Sequence, residues 1–167
     1  NYGIVATGAT KSATLTVTNG GAFAASSMSG SGLAAPYEFT GGSYPGTGAN
    51  CSATLNAGSS CTISVSFSPL VTGVQTDDVE VNYSNGVTGQ VATRGLTGTA
   101  QSPANITISD GPTYNYGTKA IGSVTDKTLV VTNGGGVSAT SMTGAGLAAP
   151  FTFKGGSFPG TGGTCLG

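Results

Sequence analysis

Apolar residues occupy every second position along much of this 167-residue chain. Ala13, Leu15 and Val17 alternate with Ser12, Thr14, Thr16 and Thr18. Ile63, Val65 and Phe67 alternate with Thr62, Ser64, Ser66 and Ser68, and Val79, Val81 and Tyr83 with Asp78, Glu80, Asn82 and Ser84. A two-residue period gives each segment one face for a core and one for water, the pattern of strands in antiparallel sheets packed face to face. Further strands are expected at Gly3 to Gly8, Ser26 to Met28, Tyr37 to Phe39 and Gln90 to Thr97. In the last of these Arg94 shares a face with Ala92 and Leu96, a conflict that a bulge near Gly95 would relieve. Asn19-Gly20-Gly21, Gly41-Gly42-Ser43, Asn85-Gly86 and Asn133-Gly134-Gly135-Gly136 punctuate the strands as turn clusters. No segment carries a helical period. The face assignment predicts that Val65→Asp unfolds its domain by burying an unpartnered carboxylate, while Ser64→Asp, directed at water, is mild.

The pattern then repeats. Residues 1–53 return without a gap as residues 115–167, and 30 of the 53 pairs are identical. The offset of 114 residues lies well above the roughly 20 to 50 residues of solenoid and propeller repeats, so it predicts separately folded domains. Seven or so short strands in about 100 residues favour an immunoglobulin-like sandwich. The expected fold is therefore all-β, with tandem immunoglobulin-like antiparallel β-sandwiches, the second one truncated. Asn105-Ile106-Thr107-Ile108-Ser109 alternates again just ahead of the returning Asn115-Tyr116-Gly117, which places the opening strand of each unit before its Asn-Tyr-Gly. Residues 1–101 are thus expected to form a sandwich lacking its first strand, and residues 102–167 the N-terminal half of a second of identical type. Incomplete sandwiches leave open edges, so the polypeptide is expected to extend in both directions or to be completed by other chains.

Cys51 and Cys61 bracket nine residues centred on Asn56-Ala57-Gly58, a turn signal that would let the thiols meet across a hairpin. A disulfide there points to an oxidising compartment; the alternative is a pair of reduced, partly buried cysteines. Cys165 aligns with Cys51, and its expected partner lies beyond the last residue.

Several of these segments resemble a known family. The run from Gly3 to Asn19, Gly32-Leu33-Ala34-Ala35-Pro36-Tyr37-Glu38-Phe39, the segment from Cys51 to Cys61 leading into Thr62-Ile63-Ser64-Val65-Ser66-Phe67-Ser68-Pro69, and Leu96-Thr97-Gly98-Thr99 carry the likeness. Together they resemble the bacterial choice-of-anchor D repeats, which belong with the Hydin-type, ASH or MSP-like immunoglobulin domains. The resemblance implies a seven-stranded sandwich repeated in large secreted or surface-anchored bacterial proteins, with no catalytic residues to carry over.

Charge and side-chain chemistry narrow the function classes. Charged residues make up 7% of the chain and the net charge is −1. Lys11, Arg94, Lys119, Lys127 and Lys154 lie scattered, so no basic patch offers itself to nucleic acid. No apolar run reaches the length of a membrane-spanning helix. Histidine is absent, and the acids Glu38, Asp77, Asp78, Glu80, Asp110 and Asp126 are mostly isolated, which leaves little from which to build acid–base catalysis. Asp77, Asp78 and Glu80 read as the solvated face of a strand and not as calcium ligands. Gly30-Ser31-Gly32-Leu33-Ala34-Ala35 matches a dinucleotide fingerprint in spacing, but Pro36 and an aromatic strand follow where a helix is required. No catalytic residue, metal ligand or cofactor is therefore expected.

Aromatic rings supply the remaining candidates. Tyr37 and Phe39 recur as Phe151 and Phe153 and fit an inter-sheet core. Tyr44, which recurs as Phe158 ahead of Pro159, stands beside a polar glycine loop, where a ring stacks on sugar or plugs a contact. The expected function is a non-enzymatic structural repeat of an extracellular fibre, stalk or adhesin, located outside the cell or on its surface, with neighbouring repeats and other copies as partners. One alternative is a module binding a glycan or a surface protein through the loop from Gly41 to Gly48, with Tyr44 and Phe158 as contacts. The other is a filament subunit completed by strands from neighbouring chains.

Overall fold

The alternating segments pair into strands throughout the computed structural model, which describes residues 1–165. Leu166 and Gly167, the last two aligned positions of the second copy, lie outside the described residues. The chain forms two compact units, Asn1–Ser102 and Pro103–Gly167. Unit 1 contains β1 (Ile4–Ala6), β2 (Lys11–Thr18), β3 (Ser26–Ser31), β4 (Tyr37–Phe39), β5 (Ser60–Phe67), β6 (Gly73–Ser84) and β7 (Gly89–Gln101). They form two sheets, in the orders β1-β7-β6-β3 and β2-β5-β4. β1 runs parallel to β7, and the other pairings are antiparallel. The fold is all-β, an immunoglobulin-like sandwich, and the described residues contain no helix.

The inward faces close on one core. Val79, Val81 and Leu96 from one sheet meet Tyr37, Phe39, Ile63, Val65 and Phe67 from the other, all buried. At its centre Tyr37 stacks on Phe67 with ring centroids 4.8 Å apart, and Tyr2 packs 5.6 Å from both. The two phenols leave the apolar layer by donating to main-chain carbonyls, Tyr2 to Val65 at 2.8 Å and Tyr37 to Gln75 at 2.9 Å, so neither hydroxyl is buried unpaired. Tyr37 and Phe39 thus take the core positions expected from their alternation.

Three expectations require correction. No bulge forms near Gly95: β6 and β7 keep one register from Gly73↔Ala100 to Ser84↔Gly89, and the irregularity lies in β3, between Ser26 and Ser29. The conflict at Arg94 disappears because residues 89–95 of β7 are exposed, while Leu96, Gly98 and Ala100 turn one buried face to the core. Ser64 does not point to water. β5 is the middle strand of its sheet and its serine face is covered, leaving Ser64 6% and Ser66 2% exposed. The cysteines are joined, with Cα atoms 4.9 Å apart, but not across a hairpin. Leu55 instead forms a bridge with Ala25, and the turn at Asn56-Ala57-Gly58 closes with Ser59 donating to the Asn56 carbonyl at 3.1 Å.

Unit 2 contains β8 (Ile106–Ile108) and β9 (Val131–Asn133), paired antiparallel. Its ion pairs lie at the surface: Lys127 meets Asp110 at 3.0 Å and Lys154 meets Asp126 at 2.6 Å.

Candidate functional site

The glycine loop that follows β4 is fastened to β5 by its main chain. Thr40 donates to the Ser64 carbonyl at 2.9 Å, Ser64 donates to the Pro45 carbonyl at 2.8 Å, and Cys51 donates to the Thr62 carbonyl at 3.0 Å. Asn50 adds a side-chain clasp, its Oδ1 accepting from the Thr62 amide at 2.8 Å and the Thr62 hydroxyl at 3.0 Å. Gly46 sits so close to the Ser64 carbonyl that any Cβ there would collide with backbone. Glycine at 46 and serine at 64 are thus what allow the loop to lie flat on the strand.

Tyr44 hangs from this loop with its ring turned inward. It meets Phe39 edge to face, centroids 5.6 Å apart at 86°, and both rings lie over Gly30, where a Cβ would come within 2.6 Å of Tyr44 Cδ2. Its hydroxyl is buried without a hydrogen-bond partner, and burial pushes the phenol above its ordinary pKa. Gly30, taken from the dinucleotide-like spacing, is therefore a place for two rings to rest. Phe158 occupies the same position in unit 2, edge to face with Phe153 at 5.7 Å and 85°, over Gly144.

The likeness between the copies extends to individual hydrogen bonds. Tyr37 donates to Ala34, Gly42 to Phe39, Gly46 to Ser43 and Thr47 to Thr40; Phe151 donates to Ala148, Gly156 to Phe153, Gly160 to Ser157 and Thr161 to Lys154. Asn19 accepts from Gly21 and donates to the Phe23 carbonyl, as Asn133 accepts from Gly135 and donates to that of Val137. This main-chain framework belongs to the 53-residue segment itself, set by its Asn, Gly and Pro positions.

A feature that the sequence reading missed lies at one end of the unit 1 sandwich. A cleft of about 300 Å³ opens there between the sheets, bordered by Val17, Asn19, Ala25, Met28, Leu55 and Tyr83, with Phe23, 79% exposed, at its rim. In unit 2 a second hollow, of about 310 Å³, is lined by Ile106, Val131, Asn133, Ala139, Met142 and Cys165. Val131, Asn133, Ala139 and Met142 are the aligned counterparts of Val17, Asn19, Ala25 and Met28. The recurrence of these four residues was the available signal. Among the described residues no three His, Cys, Asp or Glu side chains gather as metal ligands, and Asp77 and Glu80 are taken up locally, accepting from the Ala34 amide and the Ser31 hydroxyl.

No protein-family model and no curated protein matches the chain. Among solved structures, it is similar to the VesB protease of Vibrio cholerae, at 24% identity and TM-score 0.48, over 58% of this chain and 28% of that one. It is also similar to the ASH / PapD-like domain 7 of human CEP192, at 18% identity and TM-score 0.42, over 60% of this chain and 82% of that one. A third similar structure is the secreted serine protease VesC of Vibrio cholerae, at 18% identity and TM-score 0.43, over 59% of this chain and 21% of that one. The chain thus spans about a quarter of the length of each Vibrio protease.

Proposed function

We propose that this chain is a run of passive structural repeats from an exported surface protein, a fibre, stalk or adhesin in which each sandwich is a rigid spacer. The observation that carries this reading is one main-chain framework occurring twice, 114 residues apart, while the side chains around it change. A shared binding or catalytic site would keep its polar groups, yet Glu38 becomes Thr152, Thr40 becomes Lys154 and Asn50 becomes Thr164. What persists is turn glycine, proline, the turn-forming Asn19, ring packing and the small hydroxyls Ser43 and Thr47. The Cys51–Cys61 disulfide supports an oxidising, extracellular or cell-surface setting. The resemblance to choice-of-anchor D repeats supports a bacterial source and a longer array.

The rival reading, a glycan or protein contact through Gly41 to Gly48 with Tyr44 and Phe158, is disfavoured by the inward set of both rings. A glycan array probed with the intact chain, with Tyr44→Ala and with Tyr44→Phe tests the choice. The spacer reading expects no glycan retained above background by any of the three. A glycan held by the native chain and by Tyr44→Phe, and released by Tyr44→Ala, would replace it with the binding reading.

A further inference from the structure

β2 is the last strand of its sheet, with β5 on one side only. Its main chain divides by alternation. Asn19 is aimed at the β5 side, donating to the Ser59 carbonyl at 2.9 Å and accepting from the Gly58 amide at 2.8 Å. Thr18 and Thr16 accordingly aim their amides and carbonyls outward, at the open edge. Among the described residues, no strand pairs with that edge.

The same stretch of the second copy shows what fits there. Residues Val131–Asn133 align with 17–19, and β8 lies along them in the register Ile106↔Asn133, Thr107↔Thr132, Ile108↔Val131. Two further bonds extend the ladder: Gly134 donates to the Asn105 carbonyl at 2.9 Å and Ser109 donates to that of Val130 at 2.8 Å. Val130, Thr132 and Gly134 are the counterparts of Thr16, Thr18 and Gly20, the positions whose main chain faces the open edge in unit 1. The hollows agree independently. Ile106 borders the unit 2 hollow beside Val131, Asn133, Ala139 and Met142, whose counterparts border the unit 1 cleft.

We propose that the open edge of β2 and the adjoining cleft form one strand-acceptor site, which takes an extended segment with the chemistry of residues 105–109, Asn-Ile-Thr-Ile-Ser. The segment runs antiparallel to β2, with its central Thr opposite Thr18. Its main chain bonds Thr16, Thr18 and Gly20, and its first Ile side chain sits at the cleft beside Val17 and Met28. Ladder bonds supply affinity and the isoleucine pocket supplies selectivity. The proposal rests on the equivalence of the two copies and not on the spacer role, so a glycan result leaves it standing.

The probe is a synthetic peptide of residues 103–110, added to the intact 167-residue chain at about 1 mM, the range expected for a short single-strand contact. Amide hydrogen exchange read residue by residue should slow at least about tenfold at Thr16, Thr18 and Gly20. The same peptide N-methylated at Thr107, which loses the central donor while keeping its side chains, should give no protection. Thr18→Pro, which removes an amide that β5 does not use, should abolish the effect while the core amides of β5 stay protected. Protection at these amides that grows with chain concentration when no peptide is added supports the site, with residues 105–109 of a second copy as occupant. Unchanged exchange at Thr16, Thr18 and Gly20, protection confined to Val130 and Thr132, or equal protection by the methylated peptide would overturn it.

Discussion

Tyr37 and Phe151 begin from the same local structure and end in opposite environments. Each follows Ala-Ala-Pro, and each donates its amide back to the alanine three residues earlier. Yet Tyr37 is 1% exposed and Phe151 is 52% exposed. The difference lies in what each is packed against: Tyr37 stacks on Phe67 of β5 and reaches Gln75 of β6, whereas β8 and β9 are the only strands of unit 2 among the described residues. Turn chemistry is therefore self-sufficient in this sequence and burial is not. The loops need only their own Asn, Gly and Pro, while the core requires strands far along the chain.

The largest test of that contrast is paired. Tyr37→Ala should cost unit 1 about 3 to 5 kcal/mol, whereas Phe151→Ala should cost unit 2 less than about 1. Urea unfolding of the full chain, followed by methyl signals from each unit, measures both; equal costs would mean that the copies are packed alike. A smaller effect is expected from Ser64→Asp. That change places a carboxylate under the loop carrying Pro45 and Gly46, so unit 1 should lose about 2 to 4 kcal/mol. Loss of only a few tenths would show that the loop does not cover β5 in solution.

The smallest effect depends on pH. Burial, with Tyr37 adding to it, pushes the Tyr2 phenol up to about 12, so the folded state favours the protonated ring more than the unfolded chain does. Its contribution is complete below the unfolded value near 10 and is lost as pH rises from there through about 12. Tyr2→Phe should lose about 1 kcal/mol at neutral pH by removing the hydroxyl's bond to the Val65 carbonyl, and should flatten the alkaline decline. An unchanged decline in denaturation curves at about pH 9 and 11 would assign it to other groups.

Much of this architecture was readable in advance because alternation reports faces directly. The inward residues of β2, β5 and β6 follow from period, and the disulfide between Cys51 and Cys61 was the favoured of two readings, formed without the hairpin that suggested it. The back of β5 did not, because a buried serine and a solvated one look identical in a polar–apolar pattern. The clue was size: Ser64 is small enough for a glycine loop to lie on it, where Thr14 and Thr16 on β2 keep their bulk. The Arg94 conflict arose from assuming that every inward position of a strand is covered, whereas residues 89–95 of β7 stay exposed beside residues 78–84 of β6, where Val79 and Val81 are buried. The cleft was hidden because it depends on how far two sheets stand apart. That spacing is set by Met28, Val81 and their neighbours together and not by any one segment.

Fastening the glycine loop by amides and carbonyls has an effect on how such units diverge. Thr40 and Lys154 differ in size and charge, yet the carbonyl of each accepts the same bond, from Thr47 at 2.6 Å and from Thr161 at 2.7 Å. Since every amino acid supplies the carbonyl and all but proline the amide, decoration can be exchanged from one copy to the next without moving the scaffold wherever a Cβ fits, as it does not at Gly46. Adjacent units drift apart in surface character while keeping their shape, and dissimilar neighbours mispair less readily during folding than identical ones.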